Sequence, residues 1–197
     1  MSFIELPKFF FYFSWRLNFI FSFFTKHIPT ALAFKNSNES KDKSTESNFF
    51  EIINRRQADK NFFKIIKDIK KNYRKMFKKK PTTELDVQDK LEIFLSVKEY
   101  GFNREKERVS FSSKSFEPDF TNEKLKAAIE VKFINNKEKI KSSIESMSAD
   151  ITPYSKIFKR ILFLVYDIGG NIRDIDEFTK DFIKDGAILI RCIVIKH

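Results

Sequence analysis

The chain has 197 residues, with 38 Lys and Arg against 27 Asp and Glu, a net charge of +11 and 42% hydrophobic residues, which suits one domain with an appendage. It contains one cysteine, Cys192, and two histidines, His27 and the final residue His197. These counts exclude a disulfide framework, a cysteine-rich or His-ligated zinc centre and a catalytic triad that needs histidine. Any catalysis must therefore use carboxylates, lysines or hydroxyls.

The positive charge is concentrated in one part of the chain. Residues 1–34 carry a net charge of +2, residues 35–80 carry +9, and residues 81–197 are neutral. A neutral domain beside a basic segment suits a protein that approaches a polyanion, because lysines and arginines bind phosphates with release of counterions. A solvated helix face explains the same charge equally well.

The first segment, residues 1–34, contains an aromatic run from Phe9 to Phe24. This run has 16 residues and includes Arg16, so it is too short and too polar for a membrane span. Lys8 and the small residues around Ala31 are typical of a signal peptide, but Arg16 lies inside the region that should be apolar. We expect a cytoplasmic protein whose aromatic run contacts a membrane surface, packs against a partner protein or has no separate role.

Residues 35–48 are rich in Ser and Asn and predict a polar linker, because they have too little apolar surface to fold alone. In residues 49–80 apolar side chains recur every three or four positions, which predicts a basic amphipathic helical arm. The predicted DNA contacts on its polar side are Lys64, Lys67, Lys71, Arg74, Lys75 and Lys78. A helix laid on the domain with its lysines in water, or a contact with anionic lipid, fits the same pattern.

The remaining residues, 81–197, predict an α/β domain. Thr83, with Asp86 three residues later, forms a helix start, and Gly101 follows the end of that helix. Strands are predicted at residues 108–112, 116–120, 125–134, 161–166 and 187–195, and helices at residues 137–150 and 174–184. The order α, β, β, β, α, β, α, β predicts a mixed sheet flanked by helices.

One pair of predicted strands carries the candidate site. On the strand 125–134, Glu130 and Lys132 point to one face, because side chains alternate along a strand. Asp119 follows Pro118 at the end of the preceding strand, so a hairpin would place Asp119 beside Glu130. Adjacent carboxylates suit a cation with oxygen ligands such as Mg²⁺, and a lysine can orient or deprotonate the attacking water. A solvent-facing pair of Glu130 and Lys132 is the alternative.

Pro118-Asp119 followed by Glu130-Val131-Lys132 resembles the signature of the PD-(D/E)XK nuclease superfamily. More closely, residues from about 62 to 197 resemble the domain of MboI-type restriction endonucleases. The matching pieces are, in order, the basic helix, Glu84 to Gln88, Ser112-Ser113-Lys114, Asp119-Phe120, Ala128 to Lys132, Ala149-Asp150-Ile151 before Tyr154, Ile161 to Asp167, and Gly169-Gly170. The family often has a Gly-Gly pair before the Ser-Ser piece, and here Phe111 precedes it.

The resemblance implies a restriction-endonuclease-like fold and an Mg²⁺-dependent endonuclease that hydrolyses DNA, with Mn²⁺ as a substitute metal. It implies that Asp119, Glu130 and Lys132 are catalytic. The two carboxylates would bind the metal together with the backbone carbonyl of Val131, and the lysine would serve the attacking water. Accessory roles near the site are expected for Glu84, Gln88 and Asp150.

A role in restriction or anti-phage defence follows from the resemblance alone. Cleavage of both DNA strands usually needs two active sites, so a homodimer is expected. A catalytically idle nucleic-acid-binding module of the same fold, and a membrane-associated protein tethered through Phe9 to Phe24, fit the sequence too. Three other motifs have structural explanations. We expect Cys192 to be an inert core residue, Gly169-Gly170 to form a turn, and Asp174 to lie at a helix start.

Overall fold

A computed structural model describes residues 39–197 of the chain, with side-chain surroundings from residue 47 onward. Residues Asn48–His197 form one compact unit, and every strand of the described residues lies in it. The aromatic run Phe9 to Phe24 lies outside the described residues, so its membrane or protein contact stays a prediction. Within the described residues, none of the helices has the length and hydropathy to cross a membrane.

Four α-helices and seven β-strands form in the described residues. The helices are α1 (Glu39–Asn72), α2 (Glu84–Val97), α3 (Glu138–Tyr154) and α4 (Ile175–Thr179), with 3₁₀ turns at Tyr73–Met76 and Lys180–Phe182. The strands are β1 (Asn103–Arg104), β2 (Val109–Phe111), β3 (Lys114–Phe116), β4 (Phe120–Asn122), β5 (Ala127–Ile134), β6 (Arg160–Asp167) and β7 (Leu189–Lys196).

Five of these strands form one mixed sheet in the order β1-β4-β5-β6-β7. β4 pairs antiparallel with β1 and with β5, whereas β5, β6 and β7 run parallel. Parallel neighbours need a crossover connection, which contains α3 between β5 and β6 and α4 between β6 and β7. β2 and β3 form a separate antiparallel hairpin.

Apolar side chains cover both faces of the sheet. On one face, Ile129, Val131 and Phe133 of β5 belong to the same apolar cluster as residues of α1 and α2. On the other face, Ala128 and Ile134 pack in a cluster with residues of α3. Every residue of β6 is buried, as expected for a central parallel strand between two helical layers. The structure therefore confirms the predicted mixed sheet flanked by helices and the alternation of side chains along β5.

Helix α1 differs from the predicted linker and arm. It begins at Glu39, so residues 39–48 are helical. This stretch has no Gly or Pro, and a helix already nucleated by packing further along can propagate through polar residues. The buried residues of α1 in the first apolar cluster are Phe62, Ile65, Ile66 and Ile69. The helix also ends at Asn72, short of residue 80, and is part of the domain with its lysines on the outer side.

Helix α2 starts where the sequence predicts. The Thr83 side chain accepts a hydrogen bond from the Asp86 N–H at 3.1 Å, and the Asp86 carboxylate accepts from the N–H groups of Thr82 and Thr83 at 2.8 and 3.0 Å. These bonds satisfy backbone donors that the first turn of a helix leaves free. They fix the amino end of α2, which carries Glu84 and Gln88.

The predicted strand 116–120 is divided in the structure. β3 ends at Phe116, and β4 begins at Phe120 and includes two residues that the sequence pattern places in the turn. Pro118 has no N–H for a strand ladder, so the chain leaves the small hairpin and enters the large sheet around this residue. Asp119 consequently stands immediately before β4.

Two helix ends also differ from the predictions. Pro153 lies inside the last turn of α3, which continues to Tyr154, because the proline removes only one hydrogen bond there. The predicted helix 174–184 ends at Thr179 and continues as a 3₁₀ turn. Strand β1 has no counterpart among the predicted elements, since two residues show no periodicity.

Candidate active site

The hairpin of β4 and β5 brings the two predicted carboxylates together. Phe120 pairs with Ile129 at the end of the antiparallel ladder, so Asp119, one residue earlier, comes opposite Glu130. The side chain of Asn122 accepts a hydrogen bond from a backbone N–H of the connecting turn at 2.8 Å and closes the hairpin. The juxtaposition that the sequence suggested is therefore present in the fold.

β4 covers only the first part of its edge of β5, because the ladder between them stops at Ile129. Two carboxylates take the next N–H groups on that edge. Asp119 Oδ2 accepts from the Val131 N–H at 2.6 Å, and Glu84 Oε2 accepts from the Phe133 N–H at 3.0 Å. Since a strand residue directs its N–H and C=O to the same edge, the Val131 carbonyl lies on the edge that Asp119 occupies.

The Asp119 carboxylate also contacts α2. Gln88, which is nearly buried, donates from Nε2 to Asp119 Oδ1 at 2.8 Å. Both oxygens of Asp119 thus have one neutral donor each, and each keeps a lone pair for a further partner.

Glu130 and Lys132 lie on the face of β5 that packs against α3. Lys132 Nζ donates to Glu130 Oε1 at 2.7 Å and lies 3.7 Å from Asp150 Oδ2. The Tyr154 hydroxyl donates to Glu130 Oε2 at 2.9 Å. The side chains of Lys132 and Glu130 are 12% and 10% exposed, so the alternative of a solvent-facing pair is wrong.

Negative charge is in excess at this site. Burial raises the pKa of Asp119, and the nearby Glu130 carboxylate raises it further. Burial and the same carboxylate raise the pKa of Asp150 to about 6. Burial alone would lower the pKa of Lys132, but the charges of Glu130 and Asp150 raise it above its ordinary value. With Glu84 included, four carboxylates share one ammonium, and such a site attracts a further cation.

The donor atoms fit a small, hard cation. Asp119 and Glu130 offer carboxylate oxygens and Val131 a carbonyl oxygen, and proteins hold Mg²⁺ through one or two carboxylates with waters and substrate phosphates. The described part of the chain contains no group of three or more His, Cys, Asp or Glu side chains that could hold a metal ion by themselves. A cation bound here would therefore complete its shell with water or other oxygen ligands.

Helix α1 runs along β6 from the start of the strand to its carboxyl end. Asp59 of α1 pairs with Arg160 at the start of β6 at 2.7 Å. The ring of Phe77, which follows α1, lies 5.0 Å from the ring of Tyr166 near the other end of β6. The end of α1 therefore lies at the carboxyl ends of the parallel strands.

The predicted DNA contacts are spread along this direction. The residues at the carboxyl ends of the strands are Arg74, Lys75 and Lys78. Lys64 instead lines a pocket with Lys124 and Leu125, beside the amino end of β5. Of the predicted contacts, Lys67 and Lys71 lie between these two positions and are exposed. Of the predicted contacts, Arg74, Lys75 and Lys78 are therefore the ones at the end of the sheet nearest to Glu130 and Lys132.

The structure confirms the three predictions made for other residues. Burial raises the pKa of the Cys192 thiol to about 12, so this thiol is an inert part of the core. The Asp167 carboxylate accepts the N–H of Gly169 at 3.2 Å and closes a turn there. Asp174 accepts the N–H of Glu177 at 2.9 Å and caps α4.

Two contacts at the site had no role assigned from the sequence. Arg104 of β1 donates to the side chain of Gln88 at 3.1 Å, and a two-residue strand gives no sequence signal that would place it there. Tyr154 matched a family position without an assigned role, and its bond to Glu130 depends on how α3 crosses the sheet. The one signal in the sequence for this contact is that Tyr154 follows Asp150 by four residues in the predicted helical region.

Comparison with known proteins agrees with this architecture. The family model described as REase_DpnII-MboI matches residues 53–197, well over half of the chain. No curated protein and no solved structure matches the chain. The match confirms the resemblance to MboI-type enzymes and begins within α1, which makes that helix part of the family domain. The chain belongs to the DpnII-MboI family of restriction endonucleases.

Proposed function

We propose that the protein is an Mg²⁺-dependent endonuclease that hydrolyses DNA phosphodiester bonds with Asp119, Glu130 and Lys132. Membership of a restriction endonuclease family supports a nuclease that acts on DNA. The observation that carries the proposal is the hairpin of β4 and β5, which gathers two carboxylates beside one nearly buried lysine. In such a family the activity would serve restriction or anti-phage defence.

Asp119, Glu130 and the Val131 carbonyl would hold the metal, and Mn²⁺, which accepts the same oxygen ligands, would substitute for it. Mg²⁺ bound there would lower the pKa of a water molecule and offset the charge that develops on the phosphate. Asp119 is held for this role by Gln88 and by the Val131 N–H, so little reorganisation is needed. Glu130 is held in the same way by the Tyr154 hydroxyl.

Lys132 would act on the attacking water. Its ammonium lies between Glu130 and Asp150, at 2.7 and 3.7 Å, and therefore beside a carboxylate of the metal site. From this position Nζ can donate a hydrogen bond that orients the water, and its charge opposes the negative charge on the phosphate. The water oxygen would bond to phosphorus and give up a proton to solvent, while the bond from phosphorus to the leaving oxygen breaks and that oxygen takes a proton from solvent. Asp150 would keep Lys132 in place during this step.

DNA would approach over the carboxyl ends of β5 and β6. The exposed basic residues at that end include Lys75 and Lys78. Lys80 donates to the Ile168 carbonyl just after β6 at 3.3 Å, which brings the basic stretch to the end of the sheet. Lys139, at the start of α3, also lies near the site. Burial raises the pKa of Glu84, and the positive charges of Lys132 and Lys139 lower it. Cutting both strands needs two such sites, so two copies of the chain would act on one duplex.

The proposal is tested by cleavage of supercoiled plasmid DNA by the wild type, Glu130→Gln and Lys132→Met. Glu145→Gln serves as the matched control, because Glu145 is an exposed carboxylate of α3. We expect cutting that requires Mg²⁺ or Mn²⁺ and falls roughly a hundredfold or more in both site variants, the size of loss seen when one charge-stabilising group is removed. A wild type that binds DNA and never cuts it would instead be a catalytically idle binding module.

A further inference from the structure

The short strand β1 places Arg104 beside the candidate site. Arg104 pairs with Phe120 in the antiparallel register, so it lies next to Asp119 along the sheet. The N–H of Glu105 donates to the Asp119 carbonyl at 3.0 Å, which holds the two backbones together beyond the last paired residue. The guanidinium is largely buried, with 20% of the side chain exposed.

Although Arg104 lies next to Asp119 along the sheet, its guanidinium makes no hydrogen bond to the Asp119 carboxylate within the described part of the chain. It donates instead to three side chains of α2: Asp89 at 2.7 Å, Glu92 at 3.1 Å and Gln88 Oε1 at 3.1 Å. Gln88 in turn donates from Nε2 to Asp119 Oδ1 at 2.8 Å. A continuous path of hydrogen bonds therefore runs from the guanidinium through one amide to the carboxylate.

The direction of the Gln88 amide is dictated by Arg104. A guanidinium has five N–H donors and no acceptor, so Gln88 must turn its carbonyl oxygen toward Arg104. The NH₂ group then faces Asp119, where a carboxylate can only accept. With the amide reversed, two donors would face each other on one side and two acceptors on the other.

A neutral amide between the arginine and the carboxylate has a chemical consequence. A guanidinium bonded directly to Asp119 would form an ion pair and compete with a cation for the same oxygens. The Gln88 NH₂ fixes the orientation of Asp119 without adding a charge, and the Val131 N–H does the same for the second oxygen. Asp119 is thus oriented by two neutral donors that do not compete with a cation for its oxygens.

We propose that Arg104 is a positioning residue that acts through Gln88 to hold the Asp119 carboxylate for the metal. This inference rests on the proposed function, because it assigns Asp119 to a metal site. It is distinct from a purely structural role, in which Arg104 would only join β1 to α2 through Asp89 and Glu92.

The test is a double-mutant cycle read out as Mn²⁺ affinity by calorimetry on the full chain without DNA. The variants are Arg104→Met, Gln88→Met and the double variant, with Glu92→Gln as the control that weakens the tie to α2 and leaves the path to Asp119 intact. Each single site variant should bind Mn²⁺ about tenfold more weakly, the lower end of the loss seen for groups that orient metal ligands. The double variant should bind no more weakly than Gln88→Met, and the control should match the wild type.

Several results would overturn the proposal. These are an unchanged affinity in Arg104→Met, losses that add in the double variant, or an equal loss in Glu92→Gln. If Arg104→Met does not fold, Arg104→Gln replaces the donor-only guanidinium by an amide that can also accept, so it no longer fixes the direction of the Gln88 amide. An affinity equal to the wild type in that variant would overturn the proposal too. A wild type that binds no Mn²⁺ contradicts the metal site itself, whereas additive losses in a wild type that binds Mn²⁺ and cuts DNA contradict only the role of Arg104.

Discussion

Replacement of Tyr154 by phenylalanine should raise the Mg²⁺ concentration that cleavage requires and leave the fold in place. The hydroxyl donates to Glu130 Oε2 at 2.9 Å, in a residue that is 2% exposed. Tyr154→Phe removes this single donor and keeps the ring, which packs edge-to-face on Phe158 with centroids 6.3 Å apart. The lost interaction is therefore confined to the orientation of Glu130.

The size of the effect follows from the charge on the acceptor. A hydrogen bond to a charged group contributes about 2 kcal/mol, which corresponds to roughly a thirtyfold change in an equilibrium constant. Because Glu130 is a proposed metal ligand, the change should appear as a rise in the Mg²⁺ concentration that gives half-maximal cleavage. At saturating Mg²⁺ the rate should recover most of its wild-type value, since the metal then holds Glu130 in place.

The assay is plasmid cleavage over a range of Mg²⁺ concentrations, with Tyr166→Phe as the matched control. The Tyr166 hydroxyl is also buried, but it bonds to His197 at 2.8 Å and belongs to the opposite face of the sheet. We expect wild-type metal dependence in this control. An unchanged Mg²⁺ requirement in Tyr154→Phe, or an equal shift in Tyr166→Phe, would refute the role given to the hydroxyl.

Two further predictions concern α2 and the basic stretch that follows α1. Hydrogen bonds from the Thr82 N–H and hydroxyl, and then from Thr83, lower the pKa of Asp86 to about 2. A carboxyl whose pKa is depressed by folding stabilises the fold above its unfolded pKa and loses that contribution as the pH falls through its folded pKa. In urea unfolding, Asp86→Asn should therefore be less stable than the wild type above about pH 5, and the difference should vanish near pH 2. A difference that persists unchanged at that low pH would exclude the charge of Asp86 as its cause. In DNA binding, Lys75→Ala with Lys78→Ala should reduce the slope of log affinity against log salt by roughly 1.8, because each phosphate contact contributes about 0.9. Lys64→Ala with Lys67→Ala removes the same charge from α1 itself and should leave the slope near its wild-type value, whereas equal reductions would place DNA along α1 as well.

The local features of this fold could be predicted from the sequence because short-range chemistry determines them. Thr83 and Asp86 have the spacing of a helix cap, and strict alternation around Glu130 assigns the faces of β5. The pairing of Asp119 with Glu130 needed one further assumption, a hairpin between two strands joined by a short turn, and that assumption holds.

The parts that escaped prediction depend on contacts between distant segments. Arg104 reaches Gln88 and Asp119 only because β1 pairs with β4, and neither residue pattern indicates this pairing. The periodicity of α1 predicts a basic face but no direction across the sheet, so Lys64 and Lys78 could not be distinguished. Side-chain periodicity reports which face of an element is buried, and it carries no information on where that element crosses its neighbours.

Mg²⁺-dependent nicking of supercoiled plasmid by the wild type and Glu130→Gln, at equal concentrations of folded protein, tests the metal-dependent site most directly. Glu130→Gln keeps the size of the side chain and its contact with Tyr154, and removes the charge that would hold the metal. We expect the wild type to cut only when Mg²⁺ or Mn²⁺ is present and Glu130→Gln to leave the plasmid supercoiled. Equal cutting by both proteins, or cutting by the wild type in the presence of a chelator, would contradict a metal-dependent site at the hairpin of β4 and β5.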